Sequence, residues 1–261
     1  MKIYLDHNLI VYLRKNSNIQ LEEAVDAMKE RGDEFIFSPA HLEEIAVSSM
    51  RHGVDEVTID KDITFLTELC GTNSLRPTTR NDVLYGSESP KTCYERVINQ
   101  YKSNDYAESV EESIIRDANE NPLGNPKEMN NKDPEEILSH ITYTELLLLS
   151  LEQYNLTTHS ESIEHLQNFP KLRLKNKFCL LEHSVYFAAN LIEKLGYYRE
   201  STKKSRSRLH DVSHIIYGKY SDIFVTNDTK LLNKARAIYF FLDINTQVLT
   251  LEEFIKYEIA V

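Results

Sequence analysis

Apolar positions along this chain follow two periods, and the points where one gives way to the other outline the fold. Lys2–Leu5 is a short β-rich run in which Ile3 and Leu5 are two apart, the spacing of one face of a strand. Asn8–Lys15, with Leu9, Ile10, Tyr12 and Leu13, reads as a helix. Leu21, Ala24, Val25 and Met28 recur at i, i+3, i+4 and i+7, which predicts an amphipathic helix over Leu21–Arg31 closed by Gly32. Glu34–Phe37 predicts a second strand. Ser38 and Pro39 then supply an N-cap and a first-turn proline for a helix reaching about Met50. The C-terminal end resumes this rhythm. Leu209–Lys219 reads as a helix, Ile223–Thr226 as a strand, Asp228–Ala237 as a helix, Gln247–Leu251 as a strand and Glu252–Glu258 as a last helix. Strands alternating with helices at this spacing predict an α/β fold with a central parallel sheet.

The middle of the chain, 51–204, shows almost only the helical period. Val54–Cys70 and Thr92–Asn119 are long and amphipathic, and Phe178–Leu195 is an apolar helix stopped by Gly196. Asp133-Pro134-Glu135-Glu136 has the residues of a helix start and leads into the Leu-rich Ile137–Tyr154. Asn119–Lys132, with its Asn, Pro and Gly residues, is the clearest loop. The expected organisation is a discontinuous α/β core, residues 1–50 and 205–261, interrupted by a helical insertion over 51–204.

Composition narrows the function classes. The 261 residues carry 30 basic and 41 acidic side chains, a net charge of −11, which argues against a protein that coats nucleic acid or an anionic membrane by bulk charge. A nuclease with a local basic patch stays open. The three cysteines, Cys70, Cys93 and Cys179, are scattered and suggest neither a disulfide framework nor a structural zinc site. The longest apolar run, about Glu145–Leu151, is far short of the ~20 residues that a membrane span needs. The N-terminus meets Asp6 at once, unlike a signal peptide, so a cytoplasmic protein that does not enter a membrane is expected.

Four acids stand where an α/β sheet gathers functional groups. Asp6 ends the first strand, Glu44 lies on the helix after the second, Asp211 lies near the start of a later helix, and Asp228 follows Ile223–Thr226. If these strands are parallel neighbours, the four carboxylates meet beyond their carboxyl ends. Clustered carboxylates repel unless protonated or bridged by cations, and their hard oxygens suit Mg²⁺ or Mn²⁺. Glu43 competes with Glu44 for the second position. Two basic runs interrupt the acidic chain: Lys171–Lys177, and Arg199, Lys203, Lys204, Arg206 and Arg208, with Tyr197 and Tyr198 beside the second as candidates for base stacking. His210 and His214 are four apart, but no third soft ligand has a suitable spacing for zinc. Arg208 with His214 also fits the short Arg–His pattern of metal-independent HEPN ribonucleases.

Taken together, Asp6-His7-Asn8 after a strand, Ser38-Pro39-Ala40-His41-Leu42-Glu43-Glu44-Ile45, Asp211, and Phe224-Val225-Thr226-Asn227-Asp228 resemble the PIN-domain ribonucleases. Gln247–Phe254 resembles that family's closing strand and helix. The resemblance covers roughly residues 1–50 and 205–261. It implies a PIN-like three-layer fold and metal-dependent cleavage of single-stranded RNA, in a toxin-type or defence-type nuclease. Asp6, Glu44, Asp211 and Asp228 would hold Mg²⁺ or Mn²⁺. Asn8, Thr226 and Asn227, with the basic Lys203, Lys204, Arg206 and Arg208, would orient carboxylates, water or substrate. An antitoxin or another protein partner and a homodimer are also implied. The helical insertion sets this chain apart from simple members, and a catalytically silent PIN-like scaffold that binds a protein through the insertion is the competing expectation.

Overall fold

The computed structural model describes residues 1–78, 82–101, 105–142 and 177–260. Its centre is a sheet of four short parallel strands, β1 (Lys2–Leu5), β2 (Glu34–Ile36), β5 (Ile223–Val225) and β6 (Gln247–Leu249), in the order β2-β1-β5-β6. The expected parallel α/β sheet is therefore present, built from strands of three or four residues. A separate antiparallel pair, β3 (Leu75–Pro77) and β4 (Val83–Tyr85), lies where only helices were expected. Its strands are too short for a period-2 signal to stand out.

Strict alternation explains how so short a sheet separates two cores. Ile3, Leu5, Phe35, Ile223 and Val225 face one hydrophobic cluster; Tyr4, Ile36, Phe224 and Val248 face the other. The first cluster is completed by α1 (His7–Arg14), α2 (Ile19–Glu30), α3 (Pro39–His52), α4 (Glu56–Cys70), α5 (Pro90–Tyr101) and the last helix, α12 (Leu251–Ala260). The second is completed by α9 (Phe178–Leu195), α10 (Ser205–Gly218) and α11 (Thr229–Phe241), with Ile137 and Leu138 at the end of the single turn α8 (Pro134–Ile137). Helices thus cover both faces, giving three layers. Because both faces are dry, β5 is buried along its whole length, as central parallel strands are.

Among the described residues between 51 and 204, α4, α5 and α9 contribute to these two clusters. Phe178, Leu181, Val185, Ala188 and Ile192 of α9 pack in the same cluster as Tyr4 and Phe224. The single helix expected over Thr92–Asn119 is two, α5 and α6 (Asp105–Glu120). The loop Asn119–Lys132 contains one helical turn, α7 (Pro126–Met129). Of the helix expected over Ile137–Tyr154, residues 143–154 lie outside the described residues, and the preceding helical turn ends at Ile137. The basic run at 171–177 likewise lies outside them, save for Lys177 at the N-cap of α9. Gly196 ends α9 with φ of 86°, and a Cβ there would come within 3.1 Å of Arg199 and Pro126, which is why only glycine suits this stop. Among the described residues, no helix is long and apolar enough to cross a membrane.

Candidate active site

The strand order fixes where a site can form. From β1 the chain moves outward to β2; from β5 it moves the opposite way to β6. The carboxyl ends of β1 and β5 therefore flank the point where the winding reverses, the usual crevice for ligands in open α/β sheets. Asp6 and Thr226 are the first residues beyond those two ends.

Asp6 is 1% exposed and serves as N-cap of α1, accepting the Leu9 amide at 2.9 Å through Oδ1. Its Oδ2 accepts the Thr226 hydroxyl. Thr226 in turn accepts the Asp228 amide at 3.0 Å, and Asp228 Oδ1 caps α11 by accepting the amides of Lys230 and Leu231 at 2.7 and 3.0 Å. One hydroxyl thus joins the two acids across the β1–β5 junction. Burial pushes Asp6 up to about 7, opposed by the Thr226 and Leu9 hydrogen bonds and reinforced by Glu44 and Asp228.

Glu44 projects from the second turn of α3, where His214 Nε2 of α10 contacts its Oε1 at 2.7 Å. Burial pushes His214 down to about 3, toward the neutral imidazole, whose Nε2–H donates to Glu44. Asp211 is the seventh residue of α10, which starts earlier than expected, so it is mid-helix and not a residue of the first turn. Burial holds its carboxyl well above the usual carboxylate range, with Lys234 pulling it down and Asp228, Glu44 and Glu200 pushing it up. Asp6, Glu44, Asp211 and Asp228 all line one cleft of about 420 Å³. Glu43 does not line it; it lies 3.8 Å from His210 Nδ1, and burial pushes it up to about 7.

The basic residues expected at the rim divide. Lys203 and Lys204, on the exposed 3₁₀ turn Thr202–Lys204, line the cleft, as does Asn8. Arg206 also lines it but is held by Glu108 of α6, with Nη2 at 2.6 Å from Oε2. Glu108 binds Arg51 of α3 as well, at 2.9 Å. Arg208 departs from expectation. It is 1% exposed and bound by Glu111, by Asn190 at 2.5 Å and by Glu193 at 3.3 Å. A guanidinium engaged this way cannot be part of a surface patch, nor share a surface with His214. Tyr197 is likewise fully buried and so unable to stack on a base. Asn227 is exposed and is not among the cleft-lining residues. Glu200, which sequence reasoning did not single out, lines the cleft and binds Lys230 at 3.0 Å and Lys234 at 3.5 Å. Nothing in local periodicity distinguishes it from other acids.

The donor chemistry suits a hard divalent cation, since four mutually repelling carboxylates surround one cleft. Among the described residues, however, no three His, Cys, Asp or Glu side chains stand close enough to form a metal cage unaided. Compared with protein-family models, curated proteins and solved structures, the chain shows no significant match.

Proposed function

We propose that the protein is a Mg²⁺- or Mn²⁺-dependent nuclease of PIN-like architecture that hydrolyses phosphodiester bonds in single-stranded RNA. The observation that carries this reading is the convergence of Asp6, Glu44, Asp211 and Asp228 on the cleft beyond β1 and β5. Buried acids near one another are costly as anions, and a bound cation offsets that cost. That no compact cage stands among the described residues is compatible with Mg²⁺, which keeps several waters and takes few protein carboxylates.

When bound, such ions activate water and stabilise charge at the scissile phosphate. The chain's own residues have distinct tasks. Asp6 and Asp228 offer carboxylate oxygens whose orientation is set by helix-capping amides and by Thr226. Glu44 is held by His214. Lys203 and Lys204 at the rim attract the flanking phosphates of a single strand. The resemblance of the sequence to toxin-type PIN proteins makes an antitoxin or a second copy the expected protein partner.

The test is incubation of the full chain with single-stranded RNA after EDTA treatment, then with added Mn²⁺. Cleavage that is absent in EDTA and returns with Mn²⁺ is expected. Cleavage that persists in EDTA would contradict the reading. Full-chain protein that neither cleaves RNA nor binds Mn²⁺ in calorimetry would instead favour the scaffold.

A further inference from the structure

Behind Glu44 runs a chain of buried hydrogen bonds that the four acids alone do not require. His214, 2% exposed, faces Glu44 with Nε2 and Tyr4 with Nδ1, both at 2.7 Å. In the neutral ring with Nε2–H donated to Glu44, Nδ1 accepts the Tyr4 hydroxyl proton. Tyr4 Oη is also 2.7 Å from Ser38 Oγ, whose hydroxyl then donates to it. Ser38 is the N-cap of α3, the helix that carries Glu44. The Ser38 amide donates to His41 Nδ1 at 3.1 Å, and His41 Nε2–H donates to the Leu5 carbonyl at 2.8 Å, one residue before Asp6.

The rings of this chain are packed as well as bonded. Tyr4 lies 4.7 Å from His41 and 5.7 Å from His214, ring centre to ring centre, and the two imidazoles meet edge-on at 5.0 Å. Tyr4, Ser38 and His41 are fully buried. His214 therefore has no room to choose another rotamer or tautomer without breaking a buried bond, which costs about 1–3 kcal/mol. His214 thus fixes one carboxylate oxygen of Glu44, a residue that lines the cleft.

We propose that His214 is a positioning residue that holds the Glu44 carboxylate in its ligating orientation, and that Tyr4 and Ser38 lock its ring. The inference rests on the reading of Glu44 as a cation ligand. An imidazole N–H on a ligating carboxylate is an outer-shell contact of the kind whose loss costs about 10–100-fold in metal affinity. It also ties the end of β1, which presents Asp6, to the start of α3, which presents Glu44. Two of the four acids are thereby held by one buried unit.

The experiment is calorimetric titration of Mn²⁺ into the EDTA-treated full chain, comparing wild type with Glu44→Gln, His214→Ala, His214→Gln and Tyr4→Phe, each checked for a cooperative thermal transition. His214→Ala is expected to weaken Mn²⁺ binding about 10–100-fold. His214→Gln, whose amide can still donate, should recover most of that loss. Tyr4→Phe, which removes only the hydroxyl, should give a smaller loss of the same sign, and it decides the matter if His214→Ala does not fold. Wild-type affinity in folded His214→Ala and Tyr4→Phe, with affinity lost in Glu44→Gln, would overturn the positioning role alone. Unchanged affinity in Glu44→Gln, or no Mn²⁺ binding by wild type, would overturn the ligand reading and this inference with it.

Discussion

Thr226 donates its hydroxyl to Asp6 across the junction of β1 and β5, residues 220 apart in the sequence. The same oxygen accepts the Asp228 amide, so one small side chain orders both acids. Thr226→Val keeps the shape, removes the donor and leaves a buried acceptor and a part-buried amide unpaired. The variant should lose about 1–3 kcal/mol of stability, read as a lower urea midpoint with an unchanged slope. A midpoint within error of wild type would show that the bond does not matter.

Asp6 makes the cation-free protein sensitive to pH. Its carboxyl sits at about 7 against an ordinary 3.8, raised chiefly by burial. A group raised in the folded state contributes stability that is fully present below its ordinary pKa and is lost as pH rises through the folded value. EDTA-treated protein should therefore lose stability from this group between pH 4 and about 7. Asp6→Asn cannot ionise, so its advantage over wild type should open by about 2–3 kcal/mol between pH 5 and pH 8. Thermal unfolding of both proteins across that range is the check; parallel curves would show that Asp6 is not perturbed.

Glu43 and Glu44 are neighbours in the sequence and opposites in setting. Glu44 lines the cleft and holds His214. Glu43 is pushed up to about 7 by burial, with Glu44 adding to the shift. Glu44→Gln should lower RNA cleavage about a hundredfold, equivalent to ~3 kcal/mol of transition-state stabilisation. Glu43→Gln should leave cleavage within about threefold, under 1 kcal/mol on the same scale, and should stabilise the protein above pH 7. The reverse ranking of initial rates would move the site to the other acid.

Arg208 holds the helices of the middle segment to those of the core. It binds Glu111 of α6 and Glu193 and Asn190 of α9, while Lys234 of α11 joins Glu193 at 2.5 Å. Arg208→Met leaves buried carboxylates short of a partner and should destabilise the fold by about 3–5 kcal/mol. Arg208→Lys should recover only part, since an ammonium lacks the fork that reaches three acceptors. Urea unfolding measures both; a neutral Arg208→Met would contradict the structural role.

Much of this architecture is readable from local patterns. The apolar Ile3 and Leu5 mark the first strand, and the Ser38-Pro39 start and the Gly196 stop bound their helices, because capping is decided within a few residues. The four acids are recognisable because each follows a strand or rides the helix beside it. What sequence does not show depends on long-range packing. Arg208 looks like part of a basic run until Glu111 and Glu193 are brought to it from 97 and 15 residues away. The role of His214 depends on Tyr4, 210 residues distant, and on Glu44, 170 residues distant. No periodicity records such pairings.

Single-turnover cleavage of single-stranded RNA in Mn²⁺ by wild type, Asp6→Asn and Asp228→Asn, at equal folded concentration, tests the cation-dependent cleft most directly. Both carboxylates cap helices, and asparagine keeps the capping oxygen, so these variants should fold and melt cooperatively. Wild type should cleave, and each variant should be slower by about two orders of magnitude, ~3 kcal/mol in barrier height. Equal rates in all three proteins would contradict a cation-dependent reaction at this cleft.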